Sequence, residues 1–426
     1  MEILSTGEKI KRARIFKGIT LKELCEDKIS IAKMSCIENG KAKADKELLE
    51  YIAEKIDIDF EYLVEDVYEQ ITNNLENIKR NIWCDIESEN KIKDNLSYAI
   101  KYKYFDLAFE LIHILFSYYV EDNKVENIQL IVSQYYDLYQ RNNKPKNTYI
   151  YFKDMARYLF QNGEYIEAAS YYSKLREMMS NQNEKDFDKN DYCLISYNEA
   201  LCFKQLNKFE EAYDILSNVI ECVDNLIDEE YKGDIYHIYA ILCIKLRKNC
   251  ADNYKKKAYD YQKFNPISLA LSHGEYGKYY FEIGERDKAI SEIEEGIKIF
   301  PNDNECKNVE FLNYCTHLFI ENKEFEVANK LAEEALDMAI ITDNIKLIEK
   351  SYYLKGTILQ KMDKHSEAEK YMNLSLDALF KFGSREERKN RYYEMANLYY
   401  KLGSTTDSLK YFNLALNVDK KIWNYV

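Results

Sequence analysis

A small residue returns every 38 to 44 positions through the C-terminal two-thirds of this chain. The turns NGEYIEAA, NKFEEA, GERDKA, NKEFEVA and DKHSEA place Ala168, Ala212, Ala289, Ala328 and Ala368 four to six positions after a helix breaker. Ala251 and Ser408 fill the same slot in weaker copies, giving steps of 44, 39, 38, 39, 40 and 40 residues. Twelve residues before each anchor stand Ala156, Ala200, Tyr239, Gly277, Thr316, Gly356 and Ala396. Nine before it stand Leu159, Phe203, Leu242, Tyr280, Phe319, Leu359 and Tyr399, and seven after it the residue is mostly small again. Small residues let two helices approach closely, and the large residue fills the gap between successive pairs. A fixed period of this length therefore predicts stacked helix pairs. Only 3 of 426 residues are Pro and 12 are Gly, too few for a many-turned all-β chain, while 46% apolar residues exclude wholesale disorder.

This pattern resembles the tetratricopeptide repeat. Seven copies span 148–426, and 68–147 reads as a linker helix with degenerate helical repeats (YFDLAFELIHILF, then ENIQLIVSQYYDLY). The resemblance implies an all-α chain whose pairs stack into a right-handed solenoid with a concave face. It also implies that positions 15, 11 and 8 before the anchor line that face. Those positions hold Lys153, Tyr197, Asn313, Tyr353 and Tyr393, then Arg157, Lys278, His317 and Asn397, then Lys204, Gln360 and Tyr400. Asn pairs with a peptide backbone in both directions, Tyr offers rigid area with a hydroxyl, and Lys or Arg can hold a carboxylate.

Residues 1–67 are of another kind. EKIKRARIFKG (8–18) stops at Gly18, and Thr20 opens TLKELCED with Glu23 three residues on, a capping box. SIAKMSCIENG (30–40) again stops at Gly, and 45–56 and 59–66 each begin with Asp. Five short helices result. The run KGIT-LKEL-C-(x)4-S-(x)6-IENG resembles a helix-turn-helix domain of the Xre/Cro type, with 30–39 as the recognition helix and Cys25 as a core thiol.

Charge fits that resemblance. Between 6 and 46 there are 11 Lys or Arg against 6 Asp or Glu, a net of +5, while the whole chain is at -14. A local basic face on an acidic protein suits phosphate contacts, since neutralised phosphates release counterions. The resemblance implies backbone contacts from Lys9, Lys11, Arg12, Arg14, Lys17, Thr20, Lys22, Lys41 and Lys43. Base edges would meet Ser30, Ile31, Ala32, Lys33, Ser35 and Cys36. Leu21, Ile31 and Ala32 stand where many relatives are polar, so thymine methyls and DNA shape carry more of the expected specificity.

A helix-turn-helix followed by such an array resembles the RRNPP family (Rap, Rgg, NprR, PlcR and PrgX types), and its length and repeat count look most like the NprR type. The resemblance implies a cytoplasmic quorum-sensing transcriptional regulator that binds double-stranded operator DNA and a short signalling peptide as a homodimer. Two other readings share the architecture: a protein that sequesters or dephosphorylates a response regulator of the sporulation phosphorelay, and a phage-type peptide receptor for lysis and lysogeny. The sequence shows no phosphate-binding, zinc-protease or nucleophile-elbow motif, so no enzyme is expected. The five His have no i,i+4 partner and no Cys at zinc spacing, so neither metal nor cofactor is expected. Without a C-x-x-C pair the ten Cys read as reduced thiols, and no apolar run has the length of a membrane span.

Overall fold

The computed structural model describes residues 3–80, 86–180, 189–301 and 305–418. These residues form helices and turns without a strand. The chain divides into two compact units, Met1–Phe187 and Asp188–Val426. The division falls inside the repeat array, away from the seams expected at 67/68 and 147/148.

The first unit opens with five short helices: α1 (Thr6–Phe16), α2 (Leu21–Cys25), α3 (Ile31–Glu38), α4 (Lys46–Ile56) and α5 (Phe60–Val64). Thr20 and Glu23 form the expected reciprocal capping box on α2, and Asp45 and Asp59 cap α4 and α5. α1 starts two residues earlier than its sequence run because Ser5 and Glu8 make a second capping box. Gly18 and Gly40 close α1 and α3 with φ of 70° and 68°, backbone open to glycine at little cost. Ile10, Leu24, Cys25, Met34, Ile37, Ile52, Ile56 and Leu63 form the core of this head. Gly7 lets α1 lie on the end of α3, because a Cβ there would strike Ile37 O and sit 3.1 Å from Glu38.

Four longer helices follow, α6 (Val67–Arg80), α7 (Ile86–Lys101), α8 (Phe105–Glu121) and α9 (Val125–Arg141), then the pair α10 (Pro145–Gln161) and α11 (Tyr165–Ser180). A second core runs from Ile3 through α6–α10. Gln70 pins the N-terminal strap to α6, accepting from Leu4 N (3.2 Å) and donating to Leu4 O (2.8 Å).

The second unit holds six pairs: α12 (Lys189–Gln205) with α13 (Phe209–Ser217), α14 (Glu229–Lys245) with α15 (Ala251–Gln262), α16 (Pro266–Glu282) with α17 (Arg286–Ile299), α18 (Glu305–Glu321) with α19 (Phe325–Ile341), α20 (Ile345–Lys361) with α21 (His365–Phe382), and α22 (Arg385–Lys401) with α23 (Thr405–Asn417). The anchor alanines and the small residues facing them are buried, as the close-packing reading of the period requires. At Gly277 an added Cβ would collide with Ile293 and lie 3.0 Å from Ala289 O. Left-handed residues stop the first helix of each pair five positions before the anchor: Gly163, Asn207, Gly284, Lys323, Asp363 and Gly403, with Arg247 one position off.

Asn123 is left-handed too, which puts Ile128 in the anchor slot of the pair α8/α9. Ile128 is buried like the alanines. The degenerate stretch thus holds one repeat in register with the other seven. Several interior tyrosines pack their ring and give their hydroxyl to a carboxylate, as with Tyr135 to Asp154 (2.7 Å) and Tyr259 to Glu292 (2.8 Å).

Candidate DNA-facing helix and ligand groove

In the head, α3 stands on Ser30, whose hydroxyl accepts from Lys33 N at 3.2 Å. Met34 and Ile37 point into the core, and Ser30, Ile31, Ala32, Lys33 and Cys36 are exposed, with Ser35 half-buried. Arg12, Lys17, Thr20, Lys22 and Lys41 also reach the surface. Lys17 pairs with Asp57 (2.7 Å) at that surface.

Two expected phosphate contacts are corrected. Lys9 is 2% exposed, and its ammonium donates to Tyr62 O (2.5 Å) and Glu65 O (2.7 Å), satisfying the end of α5. Burial holds its pKa below the usual lysine value, against the pull of Glu65. Arg14 makes a two-pronged bond to buried Glu38 (2.6 and 2.9 Å) and donates to Ile19 O (2.9 Å). Both side chains hold the head together and face inward, so neither is placed to meet a phosphate.

In the first unit the groove positions border a cleft of about 360 Å³ between α8 and α10. Lys153 and Arg157 line it, and so do His113 and Ser117, which stand 15 and 11 residues before Ile128. Sequence reading missed these two because Ile128 is large where the other anchors are small. A backward step of 40 from Ala168 would have found them. His113 Nδ1 bonds buried Asp154 at 2.6 Å, which orients the ring, and Arg157 lies 3.5 Å from Glu121.

In the second unit, Lys204 on α12 reaches Glu275 on α16 at 2.6 Å, and His237 on α14 bonds the other oxygen at 2.9 Å. Burial alone would raise the Glu275 pKa, but His237 and then Lys204 hold it well below the usual carboxylate range. Half-buried Tyr197 is raised in pKa by burial and by Asp234. Tyr353 donates to Glu394 (2.8 Å) beneath the Arg391 guanidinium, and Tyr393 packs edge-on against Phe412. Lys278, His317, Asn397 and Tyr400 are exposed, Tyr400 at 70%, and Gln360 is half-buried.

Asn313 is the third correction. It is 5% exposed, and its Oδ1 accepts from Ser351 Oγ at 3.1 Å in the seam between α18 and α20. On the other side of α18, Gly274 brings it close to α16, with Phe311 and Tyr314 at 3.0–3.2 Å from where its Cβ would be. Among the described residues no three His, Cys, Asp or Glu gather in a metal-binding group, and no helix is long and apolar enough to cross a membrane.

Residues 349–378 and 390–422 match the tetratricopeptide repeat family. No curated protein matches the chain. Among solved structures, the apo form of the quorum sensor NprR from B. thuringiensis is 15% identical, covering 83% of this chain and 99% of that one, at a TM-score of 0.41. The apo form of RapI is 18% identical over 83% and 98% of the two chains, at 0.46. Bacillus thuringiensis PlcR in complex with the peptide PapR7 and DNA is 14% identical over 91% and 98%, at 0.27. The chain carries tetratricopeptide repeats, and NprR, RapI and PlcR are among its structural neighbours.

Proposed function

We propose that this protein is a peptide-responsive, DNA-binding regulator of the RRNPP type, and no enzyme. The observation that carries the reading is the company kept by α3. Its core side is filled by Met34 and Ile37, its outer side is a short exposed surface, and Arg12, Lys17, Lys22, Lys33 and Lys41 supply exposed cations in the same head of a chain at -14. The polar groove positions supply the second half. A short peptide would lie along Lys153, Arg157, His113 and Ser117 in the first unit, or along Tyr197, Lys204, Lys278, His317, Tyr353, Gln360, Tyr393, Asn397 and Tyr400 in the second.

Reading a two-fold operator needs two heads, so the working form is a homodimer joined through its repeats, in the cytoplasm. Binding to duplex DNA from the protein's own promoter region, followed as salt is raised, tests the reading. The expected result is a steep fall of affinity with salt, altered by replacement of Lys33 at some sites and not others. Binding indifferent to sequence, or lost equally on every duplex when Lys33 is replaced, overturns it.

A further inference from the structure

A cavity of about 320 Å³ lies between α21, α22 and α23, away from the groove positions. Tyr392, Phe380 and Leu414 give it apolar walls, and Arg385, Arg388 and Asn417 give it a polar rim. Arg385, Arg388 and Tyr392 recur at i, i+3 and i+7, so they share one stripe of α22. Tyr393, Asn397 and Tyr400 run along another. The volume sits at the lower end of the range for small-molecule sites, about 300–1,000 Å³.

The two guanidiniums at this rim differ from their neighbour on the same helix. One turn further along α22, Arg391 is committed to Glu349 (2.8 Å) and Glu394 (3.0 Å). Arg385 and Arg388 have no ion pair among the described residues, although the chain carries 74 Asp and Glu against 60 Lys and Arg. Among the described residues Arg388 makes one bond, from Nε to Ser384 O at 3.3 Å. Among the described residues the cavity lining contains no Asp or Glu. Both arginines lie in the first turns of α22, where the positive end of the helix dipole disfavours cations. Helix stability therefore gives no reason for them. An arginine fork facing an apolar pocket matches an oxyanion that carries an apolar stem.

We propose that this cavity binds a small oxyanion, a carboxylate or phosphate on a short aromatic or aliphatic stem. The stem lies against Tyr392, Phe380 and Leu414, and the oxyanion takes the forks of Arg385 and Arg388. The inference is independent of the peptide groove.

Calorimetry on the full chain with 3-phenylpropionate, phenyl phosphate and the neutral 3-phenylpropionamide tests it. At least one anion is expected to bind, with the amide tenfold or more weaker and the anion's affinity falling as salt rises. Which anion binds tells carboxylate from phosphate. Arg385→Gln with Arg388→Gln is expected to weaken the anion tenfold or more, with an unchanged unfolding midpoint. Arg385→Lys with Arg388→Lys, which keeps the charge and removes the fork, is expected to fall between. Equal binding of the amide, no binding of either anion at millimolar concentration, or undiminished binding by the Gln variant overturns the proposal.

Discussion

In the head, two cations run inward: Lys9 caps the end of α5 and Arg14 clamps Glu38, each through bonds specific to that one place. In the repeat array the interior is made by size, with Ala212, Ala289, Ala328 and Ala368 all fully buried at one repeated slot. A region held by individual charged bonds fails one bond at a time. A region held by close approach fails wherever the approach is blocked, since each pair depends on its neighbours. Substitutions that add volume in the array and remove charge in the head separate the two.

The largest effect is expected at Gly277, where any side chain meets Ile293 and Ala289 O. Gly277→Val should destabilise the second unit by about 3 kcal/mol or more, because both helices of the pair would have to part. Urea unfolding followed separately in the two units checks this. An unchanged midpoint in the second unit would mean that the pairs are not locked by close contact.

Acid sharpens the same comparison. Half-buried Glu292 meets His273 (2.7 Å), Lys255 (2.6 Å) and Tyr259 (2.8 Å). Burial raises its pKa, but those partners outweigh burial and bring it to about 2 from an ordinary 4.5. Its folded value is the depressed one, so its contribution is complete above about pH 4.5 and is lost as pH falls toward 2. That loss should amount to roughly 2–3 kcal/mol, and Glu292→Gln should flatten it. Stability of the second unit between pH 5 and pH 2.5, with and without the substitution, is the measurement.

For the head, Arg14→Ala leaves Glu38 buried without its partner and should cost about 2–3 kcal/mol. Lys33→Ala, on the exposed side of α3, should leave stability within about 0.5 kcal/mol and change only the preference among DNA sites. Thermal unfolding of both variants separates them. Equal midpoints would show that the Arg14 clamp contributes little.

Much of this was readable from residue order. The period located the seven C-terminal pairs because one small residue per pair is a steric requirement, and the capping residues located α2, α4 and α5 because a helix start needs an acceptor. The eighth pair escaped because Ile128 fills a slot that alanine fills elsewhere, although the 40-residue step from Ala168 and the left-handed turn at Asn123 both mark it. Lys9 and Arg14 were misread because a sequence gives the sign of a charge and not its depth. Asn313 was misread because a row of equivalent positions need not stay on one surface. Where Ser351 of α20 meets Asn313, a groove position becomes a seam position.

The smallest expected stability effect is also the sharpest test of that row. Asn313 and Asn397 both fall on expected groove positions, 15 and 11 residues before their anchors, yet one bonds Ser351 in a seam and the other is exposed on α22. Asn313→Ala removes the partner of a buried hydroxyl and should cost about 1–2 kcal/mol of stability, whatever the ligand. Asn397→Ala removes nothing from the interior, so its stability should stay within about 0.5 kcal/mol. If a peptide main chain lies along α22, the same substitution leaves a backbone group unpaired in the bound state, about 1–3 kcal/mol, or roughly tenfold or more in affinity. Calorimetry with a peptide encoded beside this gene, on both variants, reads the two quantities together. Stability lost at Asn313 and affinity lost at Asn397 would place the groove on the exposed row of the second unit. Affinity intact at Asn397 would move the ligand to the cleft between α8 and α10, where Lys153→Ala and Arg157→Ala become the substitutions that weaken it.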